Sequence, residues 1–92
     1  MKFEWDPQKA ARNLEKHGVT FQEASTVFRD PLSATAHDPD HSFSELRFVT
    51  IGLSKQGRLL TISHSEHVER IRLISARPAT KQERRIYEEE ET

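Results

Sequence analysis

LRFVTIGLSKQGRLLTISHSEHVERIRLISAR, residues 46–77, is the stretch on which the fold turns. It reads as three strands, Leu46–Ser54, Leu59–Ser65 and Ile71–Arg77. Each is rich in β-branched and aliphatic residues and is bounded by turn formers. Lys55-Gln56-Gly57-Arg58 is a compact hairpin signal between the first two. Ser65–Arg70 reads as a longer connection to the third. Short links make these strands antiparallel neighbours.

Working outward toward the N-terminus, Leu32–Ala36 makes a fourth, short strand, and His37-Asp38-Pro39-Asp40-His41 is a loop. Before it, Phe21, Ala24, Val27 and Phe28 recur at helical spacing, and Asp30-Pro31 ends that helix. Thr20 and Glu23 have capping-box spacing, with Val19 placed to staple onto Ala24. An earlier helix starts at Asp6-Pro7, an N-cap followed by proline in the first turn. It runs to Lys16-His17, where cations suit the negative end of the dipole and Gly18 can stop it. Phe3-Glu4-Trp5 is a brief opening strand. Past residue 77, Pro78 breaks the chain and Thr80 with Glu83 repeats the capping box. The last helix turns Ala79, Ile86 and Tyr87 inward and frays into the glutamates. The order β-α-α-β-β-β-β-α predicts one α+β domain over residues 1–92, with an acidic tail at about 88–92. Its sheet is mostly antiparallel, with the two N-terminal helices on one face and the other face available.

Composition narrows the function. Ninety-two residues have room for one core. No apolar run approaches membrane-spanning length, and the opening residues lack the apolar stretch of a secretory signal, so a cytoplasmic location is expected. The chain has no cysteine, which excludes disulfides, thiol nucleophiles and thiolate metal sites. There is no phosphate-binding glycine loop and no nucleophile elbow. The net charge of −1 hides an asymmetry. Residues 1–46 carry five Lys/Arg against eight Asp/Glu, residues 47–87 carry nine against three, and residues 88–91 are four glutamates. Seven of the nine late cations are arginine, whose planar fork suits phosphate. A basic surface between acidic segments fits a polyanionic partner.

The candidate chemistry follows from those arginines. Arg47, Arg58, Arg70, Arg72 and Arg77 sit on or beside the late strands. Strict alternation puts Arg70 and Arg72 on one face, with Arg77 opposite them unless a bulge intervenes. His64 is the first proton-transfer candidate and Glu45 the second. Together they have the parts for metal-free RNA cleavage: a base for the 2′-hydroxyl, cations for the phosphorane and an acid for the leaving oxygen. Lys9 and Lys16 share a helix face and extend the basic surface. The plain alternative is a solvated strand edge whose arginines pair with Glu66 or Glu69. A metal reading rests on His37 and His41 with Asp38 and Asp40, or on His64 with His67, without a full ligand set. Trp5 and Asp6 read as a core plug and a helix cap.

Several motifs, in order, resemble the BrnT family of bacterial toxins: Phe3-Glu4-Trp5-Asp6-Pro7 with Lys9, Asn13 with Lys16-His17-Gly18-Val19 and Phe21, and Glu23-Ala24 with Val27-Phe28 and Asp30-Pro31. Glu45 with Arg47, Gly57-Arg58-Leu59-Leu60, Ile71–Arg77 and the closing Thr80–Glu88 segment continue the match. The family often has adjacent Glu-Arg before the third strand, whereas Leu46 separates Glu45 from Arg47 here. The resemblance implies a RelE-like fold and a type II toxin that cleaves RNA without metal or other cofactor and stops translation. It implies a BrnA-like antitoxin as partner, through which alone operator DNA is reached. On it, Arg58, Arg72 and Arg77 are expected at the scissile phosphate, with Lys9, Arg47 and Arg70 along the RNA. The rival function is a non-catalytic module that acts only by holding an antitoxin.

Overall fold

A computed structural model describes residues 1–39 and 46–90. In chain order it has β1 (Lys2–Glu4), α1 (Pro7–His17), α2 (Phe21–Thr26) continued by a 3-10 turn (Val27–Arg29), β2 (Ala34–His37), β3 (Arg47–Leu53), β4 (Leu59–His67), β5 (Arg70–Pro78) and α3 (Lys81–Glu90). The strands form one sheet in the order β1-β5-β4-β3-β2. β1 lies parallel to β5, and the other pairs are antiparallel. This is the expected α+β domain.

The helix starts follow the capping chemistry. Asp6 accepts a hydrogen bond from the Gln8 N–H at 2.8 Å, and Gly18 takes the left-handed conformation that ends α1. Thr80 and Glu83 complete a reciprocal capping box at α3, at 2.9 and 3.1 Å. At α2 the box is half made. Thr20 accepts from the Glu23 N–H at 3.0 Å, but the Glu23 carboxylate turns to Ser54 and Arg58 instead.

Several strand boundaries and one burial differ from expectation. β2 starts at Ala34, because Asp30 draws Leu32 and Ser33 into a turn by accepting from their N–H groups. β4 continues to His67, so its link to β5 is the tight turn Val68-Glu69, with Glu69 itself at φ 61°. No glycine or proline marks that turn in the sequence. On α3 it is Tyr87 that is buried, while Ile86 remains exposed.

α1, α2 and the 3-10 turn cover one face of the sheet. Their core joins Val19, Phe21, Ala24 and Val27 to Leu60, Ile62, Ile71, Leu73 and Ala76. Trp5 packs on its rim in a T-shaped pair with Phe21, ring centroids 5.9 Å apart, the expected plug. Gly52 permits close approach here, since a Cβ would stand 2.9 Å from Val27 Cγ1. α3 crosses to the other face, where Tyr87 and Ala79 pack on Ile51 and Leu59. The Tyr87 hydroxyl donates to Asp30 at 2.6 Å.

The edge of β5 needs a second device. β1 pairs only with Arg70–Arg72, which leaves the backbone beyond it without a strand. Asn13 of α1 takes that place. Its amide nitrogen donates to the carbonyls of Ala76 at 2.8 Å and Val19 at 2.9 Å, and its oxygen accepts from the Ala76 N–H at 3.0 Å. Losing these bonds orphans buried backbone groups. Asn13→Leu should therefore cost about 3 kcal/mol and lower Tm by roughly 10–20 °C in a thermal melt. A variant melting within about 3 °C of wild type would refute the clamp.

Candidate nucleic-acid interface

The face opposite α1 and α2 is the one that carries the arginines, and a bulge explains why. Ser63 of β4 pairs with Ser75 of β5, yet the next residue, His64, pairs with Leu73. Ile74 is thus an extra residue in β5, and it reverses the pleat. Ile71 and Leu73 point to the core before it, and Ala76 after it. Arg70 and Arg72 therefore share their face with Ser75 and Arg77, which strict alternation would have placed opposite them.

Across the strands, Arg47 of β3 is level with Ser65 of β4, Ser65 with Arg72 of β5, and Arg72 with Glu4 of β1. Directly opposed positions on one face lie within about 5.5 Å at Cβ. Ser65 is fully buried in this row, and its hydroxyl has no hydrogen-bond partner among the described residues. The neighbouring rows hold Val49, Ser63 and Ser75 on one side, and His67 with Arg70 on the other. Arg70 pairs with Glu4 at 3.6 Å, while Arg72 stays exposed beside Trp5 and Asp6. α3 closes the far end. There Glu83 accepts from Nη1 and Nη2 of Arg77, at 2.7 and 2.9 Å, and from the Thr61 hydroxyl at 2.9 Å. The Arg77 pairing, helped by Thr80 and Thr61 and opposed by burial, pulls the Glu83 carboxyl down to about 2.

Other sequence candidates are placed elsewhere. Arg58 ties the β3–β4 hairpin to the helical layer: its Nε donates to Glu23 at 2.9 Å, and its Nη2 donates to Glu23 and to the Gly18 carbonyl. Glu23 is buried, and the Arg58 pairing outweighs that burial to hold its carboxyl below the usual range. Lys9 stands on α1, beside the edge of β5 rather than on the sheet face. Glu45 and His41 lie outside the described residues. Among those described, no three His, Asp or Glu side chains gather as a metal site. His37 packs its ring against Phe48 at 5.7 Å. His64 and His67, three apart in one strand, face opposite sides of the sheet.

His64 is on the helix side. Its ring is fully buried against Phe28 at 4.9 Å and Phe48 at 6.0 Å, and Nε2 lies 2.7 Å from Thr50 Oγ1. Thr50 in turn bonds Thr35 at 2.7 Å. The placement sets His64 apart from the arginine row, and the histidine of β4 on the open face is His67. Ser65 and Ser75, which share this face with the arginines, are not singled out by the sequence, because a serine in a strand carries no signal until its neighbours across the sheet are known.

Burial lowers the His64 pKa to about 4. The unfolded chain takes up that proton near 6.5, so it binds more protons than the folded chain below that pH. Stability should fall as pH drops from about 6.5 toward 4, whereas the contribution of Glu83 is lost only below about 4.5. In melts at pH 7.5 and 5.0, His64→Gln should lose less Tm than wild type. Identical losses would contradict the buried neutral ring.

A family model for the ribonuclease toxin BrnT of type II toxin–antitoxin systems matches residues 5–83. No curated protein matches the chain. The fold is similar to the 1.1 Å crystal structure of the Brucella abortus ribonuclease toxin BrnT, with a TM-score of 0.64 and 23% identity over 88% of this chain and 99% of that one. With the motifs, the sheet and a match across most of its length in agreement, this chain belongs to the BrnT family of ribonuclease toxins of type II toxin–antitoxin systems.

Proposed function

We propose that the chain is an endoribonuclease that cuts RNA on the open face of its sheet without a metal ion, and so stops translation in the cytosol. Membership of a type II family implies an antitoxin partner. On this reading the partner is BrnA-like and neutralises the toxin by covering the open face, and operator DNA is reached only through it.

The observation that carries the reading is the row Arg47, Ser65, Arg72 on a face left open by α1 and α2. Two guanidiniums flanking a buried hydroxyl can hold a phosphodiester and neutralise the dianionic phosphorane, the charge a metal would otherwise meet. The exposed Arg72 guanidinium donates to the non-bridging oxygens. The attacking 2′-oxygen forms its bond to phosphorus as its proton passes to a base. The bond to the 5′-oxygen breaks as that oxygen receives a proton, leaving a 2′,3′-cyclic phosphate. His67, at the next position of β4 on this face, is the proton carrier that the geometry favours over His64. Glu45 remains the second candidate. Arg70 extends the phosphate surface, and Arg77, held by Glu83, borders it. Arg58 supports the fold from the other side through Glu23.

Arg72→Ala should lower cleavage of an RNA substrate by about 10²–10³-fold with an unchanged far-UV spectrum, and induced expression should no longer arrest growth. Addition of a chelator should leave the wild-type rate unaltered. A folded Arg72→Ala protein that cuts at the wild-type rate would overturn the assignment of this row. Chelator-sensitive cutting would overturn the metal-free mechanism.

A further inference from the structure

We infer that α1 carries a second polyanion site, a groove along the edge of β5 that holds the single-stranded RNA flanking the cleaved bond. The inference rests on the ribonuclease reading above and extends it to residues away from the reacting phosphate. Lys9, Arg12, Lys16 and His17 of α1 face Ile74 and Ser75 of β5 across a groove of about 310 Å³. The three cations recur at helical spacing, so they line one side over about 10 Å, enough for more than one successive phosphate.

Two features separate this groove from an ordinary solvated helix face. The first is the distribution of acids. Arg58 is answered by Glu23, Arg70 by Glu4, Arg77 by Glu83 and Arg84 by Glu88. Lys9, Arg12, Lys16 and Arg72 have no acidic partner among the described residues, and no carboxylate lines the groove. Lys9, Arg12 and Lys16 thus stand together on one helix face, with Arg72 nearby on the sheet. The second feature is continuity. Ser75 is at once a wall of the groove and a member of the open face, three residues or about 10 Å along β5 from Arg72. The bulge at Ile74 and the Asn13 clamp build this wall, because they fix the β5 edge against α1. A strand whose scissile phosphate sits at Arg72 therefore leaves the sheet past Ser75 into the groove. Among the described residues no carboxylate lines the groove, so it meets the phosphates of the strand.

The test measures binding of a labelled, 2′-O-methylated single-stranded RNA of about 20 nucleotides by anisotropy, from about 50 to 300 mM salt. That RNA lacks the attacking hydroxyl and is not consumed. Replacing Lys9, Arg12 and Lys16 together by Gln should flatten the slope of log K against log salt by about 2, at roughly 0.7 for each phosphate no longer neutralised. Affinity at low salt should fall at least about tenfold, with an unchanged far-UV spectrum. Arg72→Ala should flatten the slope by only about 0.7. An unchanged slope in the triple variant, with wild type binding and cutting RNA, overturns the groove and leaves the ribonuclease reading intact. Failure of wild type to bind or cut RNA overturns both. Normal RNA binding with loss of antitoxin capture overturns the RNA groove and assigns it to an acidic protein segment instead.

Discussion

A single asparagine side chain underlies the geometry of the site. β5 lies second from one edge of the sheet, with β4 on one side along its length and β1 on the other for only three residues. Beyond β1, Ala76 would present an unpaired N–H and C=O to the interior. Asn13 answers both and bonds the Val19 carbonyl as well, so α1, the turn after it and β5 become one unit. The same stretch of β5 holds the extra residue Ile74. A bulge alone is a soft point in a strand, and the clamp on its far side fixes where the pleat resumes. That decides which way Ser75 and Arg77 point.

The arginines divide by what lies opposite them. Arg58 and Arg77 are structural in the plain sense that each is held by a carboxylate from another element, Glu23 of α2 and Glu83 of α3. They join the hairpin to the helical layer and the last helix to the sheet. Arg47 and Arg72 stand on either side of Ser65, whose hydroxyl is buried without a hydrogen-bond partner among the described residues, on the face that α1 and α2 do not cover. Charge counting cannot make this division, since all four belong to the same basic stretch.

Histidine shows the same principle in one strand. His64 and His67 differ by three positions, and the pleat sends one into the helix-side core and the other to the open face. Among Phe28, Phe48 and Thr50, the buried ring is kept neutral by desolvation, so it supports packing. The histidine that β4 presents on the open face is His67.

Much of the architecture was legible without coordinates, because it rests on local chemistry. Asp6 and Pro7 start α1, Gly18 ends it, Thr80 with Glu83 starts α3, and apolar alternation marks β3 to β5. Each effect acts within a few residues and so appears in the sequence. The family resemblance, carried by ordered motifs, also needed no structure. What the sequence could not decide was long-range. The Val68-Glu69 turn forms without glycine because the strands on either side pair up to it. The burial of Tyr87 rather than Ile86 depends on where α3 lands. Above all, one extra residue in β5 reverses a face, and neither that bulge nor the serine lying between two arginines has any local signature. Period-two alternation predicts facing only while the register holds, and the register is a property of paired strands.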